Sequence, residues 1–211
     1  MQKIEDLKSK YIIMCGPIGV GKSTFTKNLS AKMDFIPFYE EPDSNPYLED
    51  YYKGNQVSFE LQQFFLAQFL GQAVSIKKCL AQGQCVVQDR SAYEVLEVFS
   101  RIQYEDNQLT GNQWEILRMM CEYAFELMPK PDLIIHLDAS THVLKQRIKN
   151  RGRSYESGVS AVFLDRIKSM YAKWMDKLIM NGAYLEGSGV TPKTGLWAGT
   201  RVIQLKEWGI K

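Results

Sequence analysis

The stretch Tyr11-Ile12-Ile13-Met14-Cys15, running straight into Gly16-Pro17-Ile18-Gly19-Val20-Gly21-Lys22-Ser23-Thr24, constrains this chain more than any other. The first five residues are apolar almost without a break and do not alternate with polar ones. Such a run reads as a strand buried on both faces, hence a parallel sheet covered by helices on either side. Gly16 to Ser23 then fits the pattern G-x-x-x-x-G-K-[ST] without a mismatch. In that pattern the glycines let backbone N–H groups turn inward around phosphate oxygens. The helix that starts after them adds partial positive charge. Gly16, Gly19, Gly21, Lys22, Ser23 and Thr24 are therefore expected to hold the phosphates of a nucleotide. Lys22 would reach the β- and γ-phosphates, and the Ser23 hydroxyl would ligate Mg²⁺. A loop of this kind identifies a nucleotide binder and leaves the phosphate acceptor to be read elsewhere.

The rest of the chain repeats the strand-then-helix order. Residues 35–39 read as a second strand, short or at an edge because Pro37 cannot donate to a ladder. Residues 85–88, 133–137 and 201–205 read as further strands. Helical spacing covers 22–33, 47–52, 57–82, 92–103, 112–127, 141–150 and 161–180. This alternation implies an α/β domain of three layers. With 211 residues, one domain spanning 1–211 is expected. A formal net charge of +2 is low for a dedicated nucleic-acid binder, so any anion chemistry must be local. No apolar run is long enough to span a bilayer, and the first residues lack the apolar stretch of a signal peptide. The four cysteines match no zinc spacing and no disulfide framework. Reduced thiols and a cytoplasmic location are expected. His136 and His142 share no metal-ligand spacing, and the four tryptophans read as packing.

Three groups could complete a phosphate-transfer site. Two strands end in an aspartate, Asp89 and Asp138, and ligands of open parallel sheets sit beyond the carboxyl ends of strands. Asp89 has the stronger case for magnesium because Arg90 comes directly after it; Asp138 competes with a role as cap of the helix near Thr141. The pair Glu40-Glu41 comes after the second strand. Arg147 and Arg151 share a helix face, and Arg153 continues past Gly152. Such an arginine cluster, at about 147–157, can close over a polyphosphate as a lid.

On these residues the chain resembles the deoxynucleoside kinases, the group that includes deoxycytidine, deoxyguanosine and deoxyadenosine kinases. The resemblance runs from about residue 10 to about residue 180. It rests on Gly16 to Thr24, Glu40-Glu41-Pro42, Asn45-Pro46-Tyr47, Gln62, Asp89-Arg90-Ser91, and Arg147 through Glu156. It looks most like the bacterial purine-directed members. The resemblance implies a three-layer P-loop kinase fold with a five-stranded parallel sheet flanked by helices. It implies transfer of the γ-phosphate of ATP to the 5′-hydroxyl of a deoxynucleoside, with Mg²⁺. By the same resemblance Glu41 would be the catalytic base, Asp89 would bind magnesium beside Ser23, and Arg90 would hold phosphate and the reacting hydroxyl. Gln62 would meet the base edge. Tyr52 or Tyr51, with Glu156, would meet the sugar 3′-hydroxyl. Arg147, Arg151 and Arg153 would form the lid. A homodimer built through helices is expected, with small-molecule partners and neither nucleic acid nor membrane.

Two positions depart from the family pattern. Many members carry an arginine and an aspartate, paired at the base, where this chain has Phe69 and Val95. Losing both together is self-consistent, because losing one would strand a buried charge. Relatives apolar at both positions tend to accept thymidine and other pyrimidines, so Phe69 and Val95 are expected at the base; the competing reading packs Phe69 into the core. The alternatives to a nucleoside kinase are a nucleoside monophosphate kinase, such as thymidylate kinase, and a non-catalytic family member. The segment after Asn181 should supply a last strand and a loop near the adenine of ATP.

Overall fold

The computed structural model describes residues 10–185 and 195–206. Among them, six parallel strands form one sheet: β1 (Tyr11–Cys15), β2 (Ile36–Phe38), β3 (Val86–Asp89), β4 (Leu133–Asp138), β5 (Tyr184–Leu185) and β6 (Arg201–Lys206), in the order β2-β3-β1-β4-β6-β5. The five expected strands are all present. The sixth, two residues long, adds to the edge beside β6. Pro37 lies in β2 at the opposite edge, where a missing donor costs no ladder bond to a further strand.

The helices are α1 (Lys22–Met33), α2 (Leu48–Tyr52), α3 (Ser58–Ala81), α4 (92–105), α5 (Gly111–Leu127), α6 (Thr141–Arg151) and α7 (Ala161–Met180). Strand pleating sorts their partners. On β1, Tyr11, Ile13 and Cys15 face one core, shared with Phe65 and Phe69 of α3, Ile102 of α4, Cys121 of α5 and Trp174 of α7. Ile12 and Met14 face the other, with Phe25 and Leu29 of α1 and Leu144 and Ile148 of α6. Both faces of the sheet are thus covered, which is why the strand reads as continuously apolar.

Three local features position the site. α4 is not regular: Val95–Ser100 is π-helical, and its wider turn rotates the facing of the residues after it. α6 ends at Arg151 because Gly152 takes a left-handed conformation (φ 71°), and the chain then makes a single 3₁₀ turn, Ser154–Glu156. Ser140, not Asp138, caps the start of α6, accepting from the Val143 amide at 3.4 Å.

Candidate active site

β1 lies between β3 and β4, and the chain leaves the sheet's centre in both directions from it. The crevice at such a switch point opens beyond the carboxyl ends of the strands. A cleft of about 920 Å³ occupies it.

One end is the glycine loop. A Cβ on Gly16 would sit 2.3 Å from the Leu137 carbonyl oxygen, and one on Gly19 would sit 2.8 Å from Ile148 Cγ1 and 2.9 Å from the Leu144 carbonyl oxygen. Both residues also have positive φ, so no L side chain fits either position. Gly19, Gly21, Lys22, Ser23 and Thr24 line the cleft, while Gly16 shapes the loop from below. Lys22 Nζ donates to the carbonyls of Gly16 (2.9 Å) and Pro17 (3.3 Å).

Asp89 lies one strand away, paired in register with Met14. Its Oδ2 accepts from the Ser23 hydroxyl at 2.5 Å. Its buried Oδ1 has no hydrogen-bond partner among the described residues. Burial pushes its carboxyl up, opposed by the Lys22 charge and the Ser23 bond. Two hard oxygens, one of them unsatisfied, fit Mg²⁺, which takes one or two protein ligands and fills its shell with phosphate and water. Asp138 does not line the cleft: its Oδ1 accepts from the Ala139 amide at 2.9 Å and lies 3.6 Å from Lys168 Nζ.

Arg90 comes next after Asp89 with φ 66°, unusual for a residue with a side chain. The turn sends its buried guanidinium into the cleft, 4.0 Å from the Phe99 ring centroid and 4.9 Å from that of Phe65. There it donates to Glu40. Beneath it, Glu94 accepts from the Ser91 amide (2.8 Å) and the Tyr171 hydroxyl (2.5 Å), and burial pushes its carboxyl up to about 7.

Of the acidic pair, the structure brings Glu40 into the cleft and not Glu41. Glu41 is exposed; its amide donates to Gln68 Oε1 and its carbonyl accepts from the Ser44 hydroxyl at 2.7 Å. Neighbouring side chains of an extended chain point opposite ways, so only one of the two can face Arg90. The pair was visible in the sequence; which member turns inward depends on how β2 meets Pro42.

At the other end, Tyr51 and Tyr52 of α2, Leu61, Gln62 and Phe65 of α3, and Phe99 and Gln103 of α4 line the cleft. Gln62 and Gln103 are buried, and the Oε1 of each has no partner among the described residues. Burial raises both tyrosine hydroxyls above their ordinary value. Phe69 and Val95 do not line the cleft; both are fully buried in the core that α3 and α4 share. Their expected contact with the base is therefore not observed, and the Phe69 ring instead backs the Arg90 guanidinium at 6.0 Å.

Arg147, Arg151, Arg153 and Glu156 all line the cleft from the α6 side. Arg147 donates to the Val20 carbonyl at 2.8 Å, Arg151 pairs with Glu156 at 2.6 Å, and Arg153 pairs with Asp43 at 3.0 Å. Tyr155 also donates to Asp43 and stacks on Tyr52 at 5.7 Å. His136 is buried, stacks on Tyr171, and is pushed down to about 4 by burial. Trp174 and Trp197 pack in the core, and Trp208 lies outside the described residues, as do residues 186–194 of the segment expected to supply the adenine loop.

Sequence reasoning missed Gln103, Phe65 and Phe99 as cleft residues. Gln103 carried no signal, because the π-helical turn before it breaks the periodicity by which its facing would be read.

Comparison with known proteins bears on the family and the fold. A family model described as deoxynucleoside kinase matches residues 12–191. The deoxyadenosine/deoxycytidine kinase of Bacillus subtilis is 32% identical over 171 residues, covering 80% of this chain and 77% of that protein. A deoxyguanosine kinase of the same organism is 31% identical, covering 76% of each. The structure of deoxyadenosine kinase from M. mycoides with bound dCTP superposes with a TM-score of 0.68 at 25% identity, over 81% of this chain and 86% of that one.

Proposed function

The chain belongs to the deoxynucleoside kinase family and phosphorylates deoxynucleosides with ATP, and from that premise we propose which of its residues do so. Glu40 is the base. Its carboxylate takes the proton of the sugar 5′-hydroxyl as that oxygen attacks the γ-phosphorus and ADP leaves. The observation that carries this is the Glu40–Arg90 pair, inside the cleft that also holds Lys22 and Asp89. Arg90 holds the carboxylate in place and offers its remaining N–H groups to the 5′-oxygen and phosphate.

The loop amides and Lys22 neutralise the β- and γ-phosphates. Ser23 and Asp89 would hold Mg²⁺, which when bound offsets phosphate charge. Arg147, Arg151 and Arg153 form the lid, and their present carbonyl and carboxylate partners are groups that a polyphosphate would replace. Tyr51 or Tyr52, with Glu156, takes the sugar 3′-hydroxyl, and Gln62 takes the base. Family membership does not favour the monophosphate-kinase alternative.

The test is a pair of variants. Glu40→Gln should lower kcat by about 10²–10⁴-fold with little change in ATP affinity, whereas Glu41→Gln should stay within about twofold. The reverse pattern would return the base to Glu41.

A homodimer is proposed on the α5 face, where Ile116, Met119, Tyr123 and Leu127 line up exposed, Tyr123 at 67%. Sedimentation velocity reads that directly. A cytoplasmic location is supported by four free cysteines, and no described helix is long and apolar enough to cross a membrane.

A further inference from the structure

We propose that Gln72 is a positioning residue for the catalytic base: its side-chain N–H holds the Tyr39 carbonyl and so sets the turn that sends Glu40, and not Glu41, into the cleft. This deepens the kinase reading above and rests on its assignment of Glu40.

β2 ends at Phe38, one residue before Tyr39. The Tyr39 carbonyl accepts from a side chain of α3, Gln72 Nε2, at 2.7 Å. Gln72 Oε1 accepts in turn from Gln88 Nε2 at 2.8 Å, and Gln88 Oε1 accepts from the Tyr11 hydroxyl. The two ends of a glutamine amide are ordinarily hard to tell apart. Here a backbone carbonyl starts the chain, and a carbonyl can only accept. Gln72 must therefore turn its N–H to Tyr39 and its oxygen to Gln88. That oxygen then demands the N–H end of Gln88, which leaves the Gln88 oxygen for Tyr11. Gln88 lies in β3 and Tyr11 in β1, and both are buried. The backbone just before the base is thus tied to the interior of the sheet.

One turn earlier on the same face of α3, Gln68 holds the next peptide. Its Oε1 accepts from the Glu41 amide at 3.3 Å, and its Nε2 donates to the Ser44 hydroxyl at 3.2 Å. The Tyr39 carbonyl belongs to the peptide before Glu40, and the Glu41 amide to the peptide after it. Both peptides that flank the base are therefore held by α3. A peptide is a rigid plane, so fixing the two planes fixes the direction of the Glu40 side chain between them. That direction brings its carboxylate to Arg90. The Gln68 bond is exposed, whereas the Gln72 bond is partly buried and backed by the chain to Tyr11. Gln72 is thus the stronger restraint. Without its donor the peptide before Glu40 can rotate, and a small displacement of a reacting group is enough to slow a transfer that depends on alignment.

The experiment is a double-mutant cycle between Gln72→Met and Glu40→Gln, read as kcat and KM with ATP and a deoxynucleoside, using labelled phosphate to follow slow turnover. On the wild-type background Gln72→Met should lower kcat by about tenfold while KM for ATP stays within about twofold. On the Glu40→Gln background the same change should cost less than about twofold, because the group it positions is gone. A merely structural role would cost the same in both backgrounds, and that result overturns the proposal. Wild-type kcat in Gln72→Met overturns it too. Should Gln72→Met fail to fold, Gln72→Glu keeps the acceptor for Gln88 and, ionised, lacks the donor for Tyr39. It must show the same loss on the wild-type background and none on Glu40→Gln; full activity overturns the proposal. A Glu40→Gln protein with wild-type turnover overturns the base assignment itself. A slow Glu40→Gln protein in which Gln72→Met still costs tenfold overturns only the role of Gln72.

Discussion

At the end of the cleft proposed to hold phosphate, residues 16–24 run consecutively and present backbone amides. At the end proposed to hold the base, Tyr51, Gln62, Phe65, Phe99 and Gln103 come from three helices and present side chains. The first end is a local structure: glycines that tolerate positive φ, then a helix start. It needs little from the rest of the fold beyond the Leu137 and Ile148 contacts that exclude a Cβ. The second exists only once α2, α3 and α4 have packed. A chain built this way can hold its phosphate chemistry constant while its choice of nucleoside drifts, because the two depend on different residues.

Lys22→Met tests that separation most severely. Turnover should fall by about 10³-fold or more with every nucleoside, since charge stabilisation at the transferring phosphate is lost. Nucleoside affinity, measured by calorimetry without ATP, should hold. If it falls in parallel, the two ends are one unit. Phe69→Arg probes the other end. Because Phe69 is fully buried and off the cleft, the substitution buries a charge against Arg90 and should cost several kcal/mol in a urea titration, without a new base preference. A stable Phe69→Arg, Val95→Asp protein with changed base choice would put Phe69 back in the pocket.

Glu94→Gln is the gentlest of these changes. Glu94 lies under the residue that joins the two ends. In the folded protein its carboxyl titrates near 7 against an ordinary 4.5, so between those values the native state holds a proton that the unfolded chain has released. Stability contributed at this site therefore falls as pH rises through that window. The variant should gain on wild type by up to about 3 kcal/mol at pH 8 and by little at pH 4.5, read as urea midpoints. A difference that does not grow with pH would mean Glu94 is solvated.

What the sequence disclosed obeys the same division. The places of the glycine loop, Asp89, Arg90, Arg147, Arg151 and Arg153 along the cleft were legible because each sits at or near the end of an element whose periodicity is plain. The strands were legible because both of their faces are apolar. Glu40 was half legible: the pair stood out, but the inward member is decided by a single turn before Pro42. Phe69 misled because its place on α3 fits a ligand face and a core face equally, and only the packing of α4 decides between them. Gln103 was silent because a π-helical turn, set by tertiary packing, redirects it.

Arg90 shows what such a site demands of its own backbone. A left-handed conformation at a residue with a side chain costs on the order of 1–2 kcal/mol, which glycine would avoid. Arg90→Gly would relieve that strain, but it would also leave the largely buried Glu40 carboxylate without its cation, a loss that outweighs the relief. A bench search for hardier versions of this enzyme should thus leave that turn alone, since the backbone conformation and the ion pair come together or not at all.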